Sequence, residues 1–212
     1  MKTQPISIGV FIDGGYYAKL NEDLNMRMSK RLNIKSLLNY IREVVATDCD
    51  NDLRYCQITE SHYYRGRYRA GVARDKNMLY GERSFEDVLI DNDIMCHYKH
   101  LREDGNGQVV EKGIDVWFAL EAYEYAIVRK FDFVVLVTGD ADHEMLVRKL
   151  KALNTKVILL SGDFGRSSMI SHLLREEANV YINLCNEFKE NPELVDVLCL
   201  SRPKAREELR EE

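Results

Sequence analysis

The chain has 212 residues, of which 45% are hydrophobic and 31% are charged, and its formal net charge is -5 at pH 7. This length is typical of one domain, and the composition excludes a disordered, collagen-like or low-complexity chain. The acidic balance also excludes a protein coated in basic residues, so a nucleic acid would have to be bound at a local basic patch.

The predicted elements alternate between short apolar strands and helices along the chain. The predicted strands are 6–12, 52–59, 94–101, 133–137, 157–160 and 180–183. The predicted helices are 15–26, 34–46, 85–92, 115–130, 142–153 and 168–177. This alternation predicts an α/β fold with a three-layer, Rossmann-like, mostly parallel sheet that has helices on both faces, with the strands 52–59 and 94–101 at its periphery.

Residues 61–84 lack a clear strand or helix period and are predicted to form a basic insert. The window 62–76 holds five basic residues against one acid, with three tyrosines among them. Arginine binds phosphate and tyrosine can stack on unpaired bases, so this insert is predicted to bind a single-stranded nucleic acid. The candidate residues are Tyr63, Tyr64, Arg65, Arg67, Tyr68 and Arg69. The alternative is a solvated charged loop whose tyrosines pack against the body of the protein.

Four aspartates stand where predicted strands end or predicted helices begin. Asp13 follows the first strand, Asp115 opens a helix, and Asp140 and Asp142 follow the strand 133–137. Ligands of parallel sheets bind at the carboxyl ends of the strands, and clustered carboxylates favour a hard cation such as Mg²⁺ or Mn²⁺. Alternatively, each aspartate is only a helix cap. As a set, the four favour a metal site.

Three segments carry a resemblance to a known family: FIDGG (11–15), KGIDVWFALEA (112–122) and VTGDADHEMLVRKLKALNTKVILLS (137–161). They resemble the NYN domain family, the LabA-like branch of the PIN-like nucleases. The resemblance implies a nuclease domain over 1–184, with 185–212 as a helical extension and charged tail. It also implies a metal-dependent ribonuclease whose catalytic and metal-binding acids are Asp13, Asp115, Asp140 and Asp142, with Glu121 as a further metal ligand.

Other residues near these motifs are candidate substrate contacts. Tyr16 stands where the family often has Asn, and His143 stands where an aromatic residue often follows the acidic motif. The glycines after Asp13 would let the backbone approach a phosphate. The candidate contacts are Gly14, Gly15, Tyr16, Thr138 and His143.

The sequence therefore favours a metal-dependent endoribonuclease acting on single-stranded or loop RNA with Mg²⁺ or Mn²⁺. One alternative is a catalytically weak RNA-binding or regulatory module. Another is a Rossmann-like phosphatase, although the chain lacks the acid two residues after Asp13 that would serve as its proton donor. The apolar segment 193–200 would either form a homodimer or cover the domain's own core.

The cysteines and apolar segments give the expected location. Five cysteines with no Cys-x-x-Cys pair indicate neither a disulfide framework nor a zinc site. No apolar run approaches the roughly 20 residues of a membrane span, and the N-terminus does not resemble a signal peptide. We therefore expect a cytoplasmic protein that does not bind membranes.

Overall fold

The structure, a computed structural model, describes residues 3–103, 105–106, 108–165 and 168–201. The strands are β1 Ile6–Asp13, β2 Lys30–Leu32, β3 Cys56–Arg67, β4 Met95–His100, β5 Arg102–Glu103, β6 Val109–Val110, β7 Phe133–Val137, β8 Lys156–Ser161, β9 Val180–Asn183 and β10 Cys199–Ser201. The helices are α1 Gly14–Met28, α2 Ile34–Asp48, α3 Ala70–Asp75, α4 Leu79–Ile90, α5 Ile114–Arg129, α6 Glu144–Ala152, α7 His172–Glu177, α8 Leu184–Glu190 and α9 Glu193–Leu198.

Six strands form one parallel sheet in the order β4-β3-β1-β7-β8-β9. The central strands β1 and β7 are apolar without alternation, as expected for strands covered on both faces, and every residue of β7 is buried. Asp13, the last residue of β1, pairs with Tyr64 of β3. The carboxyl ends of these strands therefore place the candidate residues at one edge of the sheet.

Helices cover both faces of the sheet, which confirms the predicted three-layer α/β fold. Successive side chains of a strand point to opposite faces, so Val10 and Ile12 pack with α1, α2, α4, α8 and α9, whereas Phe11 packs with α5, α6 and α7. Two separate clusters of buried side chains result, one on each side of the sheet. Together they hold β1 and the acid at its end in place.

The predicted basic insert has regular structure, which corrects the expectation for 61–84. Its first part continues β3 to Arg67, and the rest forms α3 and α4. Strand β3 lies between β1 and β4, so it is internal, whereas β4 forms the edge as expected. The strand pattern was missed because the buried run from Ser61 to Tyr64 is polar and aromatic rather than aliphatic.

The segment 193–200 covers the domain's own core. It forms α9 and enters β10, which pairs antiparallel with β2. Leu198 and Cys199 are buried, and Leu194 packs against the core. The homodimer stays a prediction, and the predicted charged tail from residue 202 lies outside the described residues. None of the helices in the described part of the chain is long and apolar enough to cross a membrane.

Candidate active site

Asp13 is held at the junction of β1 and α1. Its Oδ1 accepts a hydrogen bond from the backbone N–H of Tyr16 at 3.0 Å, so it caps α1. Its Oδ2 accepts a hydrogen bond from the hydroxyl of Thr138, at the end of β7, at 3.2 Å. Burial raises the pKa of Asp13, and the nearby negative charge of Asp115 also raises it. The residue is therefore both a helix cap and part of an acidic site.

Thr138 connects Asp13 to His143. The Thr138 hydroxyl is 3.0 Å from Nδ1 of His143 and gives its own proton to Asp13, so His143 carries a hydrogen on Nδ1 and donates it. His143 is buried and packs 4.6 Å from the ring of Phe118, and its Nε2 has no hydrogen-bond partner among the described residues. Thr138 and His143 are both buried, which does not favour a direct contact with the substrate, and that contact stays a prediction.

Two further acids lie near Asp13, and the sequence indicated only one of them. Asp115 is exposed in the first turn of α5. Glu111, between β6 and α5, accepts a hydrogen bond from the backbone N–H of Gly66 at 2.9 Å. Partial burial and the charges of Asp13 and Asp115 raise the pKa of Glu111. No motif pointed to Glu111, because it follows a short hairpin and is placed by its hydrogen bond to β3.

Asp140 and Asp142 lie farther out. The backbone N–H of Asp140 donates to the Thr138 hydroxyl at 3.3 Å, so this residue is one side chain away from Asp13. Its carboxylate accepts from the backbone N–H of Asp142 at 3.0 Å and caps the 3-10 turn Ala141–His143. Both aspartates are exposed. Asp140 thus borders the acidic site, whereas Asp142 faces solvent.

Glu121 contacts residues other than the acids near Asp13, and its role as a metal ligand stays a prediction that this placement does not favour. Its carboxylate accepts a hydrogen bond from the Tyr64 hydroxyl at 2.9 Å and lies 3.4 Å from Nδ1 of His97. Six residues advance a helix by about 600°, which is roughly 120° away from the direction of Asp115. The helix therefore presents Asp115 to the site and Glu121 to the sheet.

The residues after Asp13 have packing roles. A Cβ on Gly14 would stand 2.5 Å from the ring of Tyr63, and one on Gly139 would stand 2.4 Å from the ring of Tyr16. The Tyr16 hydroxyl donates to the Ser168 carbonyl at 2.8 Å and accepts from the Gly162 N–H at 3.2 Å. Tyr16 is therefore a buried link to the loop after β8, and its role as a substrate contact stays a prediction.

Gly15 has more open space around it than Gly14 and lies beside Asp13. A Cβ on Gly15 would stand 3.2 Å from Oδ1 of Asp13 and would meet no other atom within 4 Å. The residue is half-buried at the first turn of α1. Gly15 therefore stays a predicted substrate contact.

The predicted RNA-binding residues divide into buried and open ones. Tyr63 and Tyr64 are buried in the core, so their rings are not open stacking faces. Arg67 is paired with Glu86 at 3.3 Å and lies over the ring of Tyr98 at 4.2 Å. The residues that keep an accessible surface and form no ion pair with a described acid are Arg65, Tyr68 and Arg69. Only part of the basic stretch is therefore available to a ligand.

The acids fit a divalent cation by their chemistry. Among the residues that the structure describes, no three His, Cys, Asp or Glu side chains lie close enough together to hold an ion. Mg²⁺, however, usually binds one or two carboxylates and completes its shell with water and substrate phosphate. Asp13 with Asp115 or Glu111 provides such oxygen ligands. Burial is the main cause of the raised pKa of Asp13, and a cation would relieve the added repulsion by Asp115.

Comparisons with known proteins bear on the family and the fold of the chain. The model of the NYN domain matches residues 7–185. The Low amplitude and bright protein LabA of Synechococcus elongatus is 28% identical over 108 residues, which cover 49% of this chain and 55% of that protein. The chain thus spans about half the length of this curated relative. A Vibrio parahaemolyticus protein of unknown function shares the fold with a TM-score of 0.60 at 15% identity, over 94% of this chain and 99% of that one.

Proposed function

This chain belongs to the NYN domain family of the PIN-like nuclease superfamily, and on that premise we propose that it is a metal-dependent endoribonuclease. The observation that carries the proposal is the placement of Asp13, Asp115 and Glu111 near one another at the carboxyl edge of the sheet. Burial and the charge of Asp115 raise the pKa of Asp13, and burial and the charges of Asp13 and Asp115 raise the pKa of Glu111. Such a concentration of acids is costly unless it serves a cation or a proton transfer.

Asp13 and Asp115 are the proposed ligands of Mg²⁺ or Mn²⁺, with Glu111 and Asp140 beside them. When bound, the ion would lower the pKa of a water molecule and polarise the scissile phosphate. Thr138 fixes the orientation of the Asp13 carboxylate through the 3.2 Å hydrogen bond, and His143 in turn fixes the Thr138 hydroxyl. These two residues are positioning residues, because neither reaches the surface.

RNA is the proposed substrate, in single-stranded or loop form. Lys99 of β4 lies near the start of α5, with its Nζ 2.9 Å from where a Cβ on Gly113 would stand, so it is placed to attract a phosphate towards the acids. Arg65, Tyr68 and Arg69 extend from the end of β3 and add cations and one ring. The bases of an unpaired strand would be free to stack on such a surface, whereas bases held in a rigid duplex would not.

The test is RNA cleavage by the purified protein in Mn²⁺ and in Mg²⁺, with single-stranded, stem-loop and duplex substrates. We expect internal cuts in unpaired segments and no turnover in excess EDTA. The Asp13→Asn variant should lose activity by about 100-fold or more, whereas Asp91→Asn, at an exposed position after α4, should retain it. Full turnover in EDTA, or by Asp13→Asn, would contradict the proposed mechanism.

A second candidate is an RNA-binding module without catalysis. It is favoured by the spread of the acids, since no three potential ligands are close together among the described residues. Under this alternative, RNA binding would be unchanged by EDTA and by Asp13→Asn, and no RNA would be cut. The phosphatase alternative predicts a phospho-aspartate at Asp13 after incubation with a phosphomonoester, which covalent trapping and mass spectrometry would detect.

A further inference from the structure

A cavity of about 360 Å³ lies on the α1 face of the sheet. Helices α1 and α4 form two of its walls, and the segment 31–34, Leu200 of β10 and Arg65 of β3 complete its lining. Small-ligand sites generally enclose about 300–1,000 Å³. The cavity is therefore large enough for one small molecule or one nucleotide.

Two arginines line this cavity without a carboxylate partner. Neither Arg31 nor Arg65 has an acidic oxygen within 4.0 Å among the described residues, and Arg65 is half-buried with one long hydrogen bond of 3.4 Å, to the Tyr63 hydroxyl. A guanidinium group has five N–H donors, so most of those of Arg65 are unused. The charge of Arg31 also acts on the hydroxyl of Tyr17, which lines the same cavity. The lining acid is Glu22, and the charges of Glu111 and Glu82 also act on Arg65.

The rest of the lining suits an aromatic ring with polar edges. Phe85 stacks on Tyr17 with 5.9 Å between the ring centroids, and it remains half-buried at the cavity wall. Asn25 has no side-chain hydrogen bond among the described residues, and Asn33 uses its Oδ1 to cap α2 while its NH₂ donors stay open. Rings, amides and unpaired guanidinium groups together match a nucleobase attached to a phosphate.

The cavity is joined to the acidic site through Tyr63. Arg65 donates to the Tyr63 hydroxyl at 3.4 Å, and that hydroxyl donates to the carbonyl of Gly14 at 3.4 Å. Gly14 directly follows Asp13 in the chain. A phosphate on Arg65 would therefore lie one tyrosine side chain away from the turn that holds the catalytic acid.

From this arrangement we propose that the cavity is a subsite for one unpaired nucleotide of the RNA strand, next to the nucleotide at which the strand is cut. The base lies against Phe85, and its phosphate lies on Arg65 and Arg31. This proposal rests on the proposed function, and it names the feature of the substrate that the protein selects, which is an unpaired nucleotide that can leave its stack. A strand held in a duplex cannot supply one without unpairing.

Binding without cleavage tests the subsite. Affinity for a labelled 12-nucleotide single-stranded RNA is measured by fluorescence anisotropy in excess EDTA, and uridine and adenosine 5′-monophosphates are titrated in the same buffer while amide resonances are followed by NMR. We expect the nucleotides to shift resonances of α1 and α4 around the cavity. The RNA should compete with them for the same resonances.

Two variants with matched controls complete the experiment. Val88→Trp fills the cavity from an exposed position of α4 and should weaken RNA binding about tenfold or more, whereas Val72→Trp, equally exposed on α3, should not. Arg31→Glu should weaken it similarly, whereas Lys35→Glu, exposed on α2 outside the cavity, should not. Wild-type affinity in both cavity variants would overturn the proposal.

The remaining outcomes separate this proposal from the nuclease proposal. Nucleotides that shift the cavity resonances but are not displaced by RNA would indicate a site for free nucleotides and would overturn the RNA subsite. Weakened binding in both cavity variants, in a protein that cuts no RNA with any metal, would support the subsite and contradict the nuclease. Cleavage with wild-type KM by Val88→Trp would overturn the subsite and leave the nuclease standing.

Discussion

Lowering the pH should destabilise the protein through His62, a fully buried histidine in the middle of β3. Its Nδ1 is 3.0 Å from Nε2 of His97, and its Nε2 has no hydrogen-bond partner among the described residues. Burial lowers the pKa of His62 to about 4, and the positive charges of neighbouring groups add to the effect. The titratable or charged groups that face it are His97 on β4, Glu60 on β3, and Glu121, Tyr125 and Arg129 on α5.

The magnitude follows from linkage. In the unfolded chain this histidine would titrate near 6.5, so between pH 6.5 and 4 the unfolded state binds more protons, and the free energy of unfolding falls as the pH falls. The gap between 6.5 and about 4 corresponds to roughly 3.4 kcal/mol at ~1.36 kcal/mol per pH unit, of which about 2 kcal/mol is lost by pH 5. Below about pH 4 this contribution changes no further, and above 6.5 it is fully present.

The assay is urea unfolding at intervals from pH 7.5 to 4, compared with a variant that cannot titrate at this position. His62→Phe keeps an aromatic ring against Phe11, which stacks on His62 at 5.1 Å, and His62→Gln serves if the larger ring does not fit. Relative to wild type, either variant should lose about 2 kcal/mol less between pH 7.5 and 5. His172→Phe, on the exposed surface of α7, should follow the wild-type curve. Equal slopes for wild type and both His62 variants would refute the reasoning.

Three further substitutions test the acidic site. Asp13→Asn should keep the fold, because an amide oxygen can still accept a hydrogen bond from the Tyr16 N–H. Thermal unfolding at pH 7.5 should show equal or higher stability, because the raised pKa of Asp13 means that its charge is costly at that pH. A large loss of stability would contradict this. Thr138→Val removes the hydrogen bond to Asp13 and should raise the pKa of Asp13. The acidic limb of the pH-activity profile would then move to higher pH. An unmoved limb would show that the hydroxyl does not affect the pKa of Asp13. Gly139→Ala should lower the free energy of unfolding by about 1–3 kcal/mol, because its Cβ would stand 2.4 Å from the Tyr16 ring. The control Gly81→Ala meets no atom within 4 Å and should be neutral or slightly stabilising. Urea unfolding would check both, and equal effects would contradict the packing argument.

The acidic site and the buried histidine pair contact different parts of helix α5. Asp115 in its first turn faces the acidic site, and Glu121 farther along faces His97 and Tyr64. Acid destabilisation through the histidines would therefore loosen the helix that carries Asp115. A loss of cleavage at pH 5 in wild type, smaller in His62→Phe, would follow from that connection.

The sequence by itself determined the architecture and the position of the principal acids. Apolar runs without alternation specify strands that are covered on both faces, and parallel strands all bring their carboxyl ends to one edge. Asp13 and Asp140 follow β1 and β7, which are neighbours in the sheet, so their approach to each other follows from topology. Asp115 joined them because it opens the helix packed on the same face of β1.

Only the tertiary structure decided where the other candidates lie. The rotation of α5 turns Glu121 towards Tyr64, and a hydrogen bond to Gly66 ties Glu111 to β3, which local patterns do not encode. Tyr63 and Tyr64 turned inward because β3 is an internal strand, and a polar, aromatic strand has no period that announces it. The physical reason is the same for all four residues. Alternation and spacing in the sequence predict the face of the helix or strand on which a side chain lies, whereas the residues that it contacts come from segments distant in the chain.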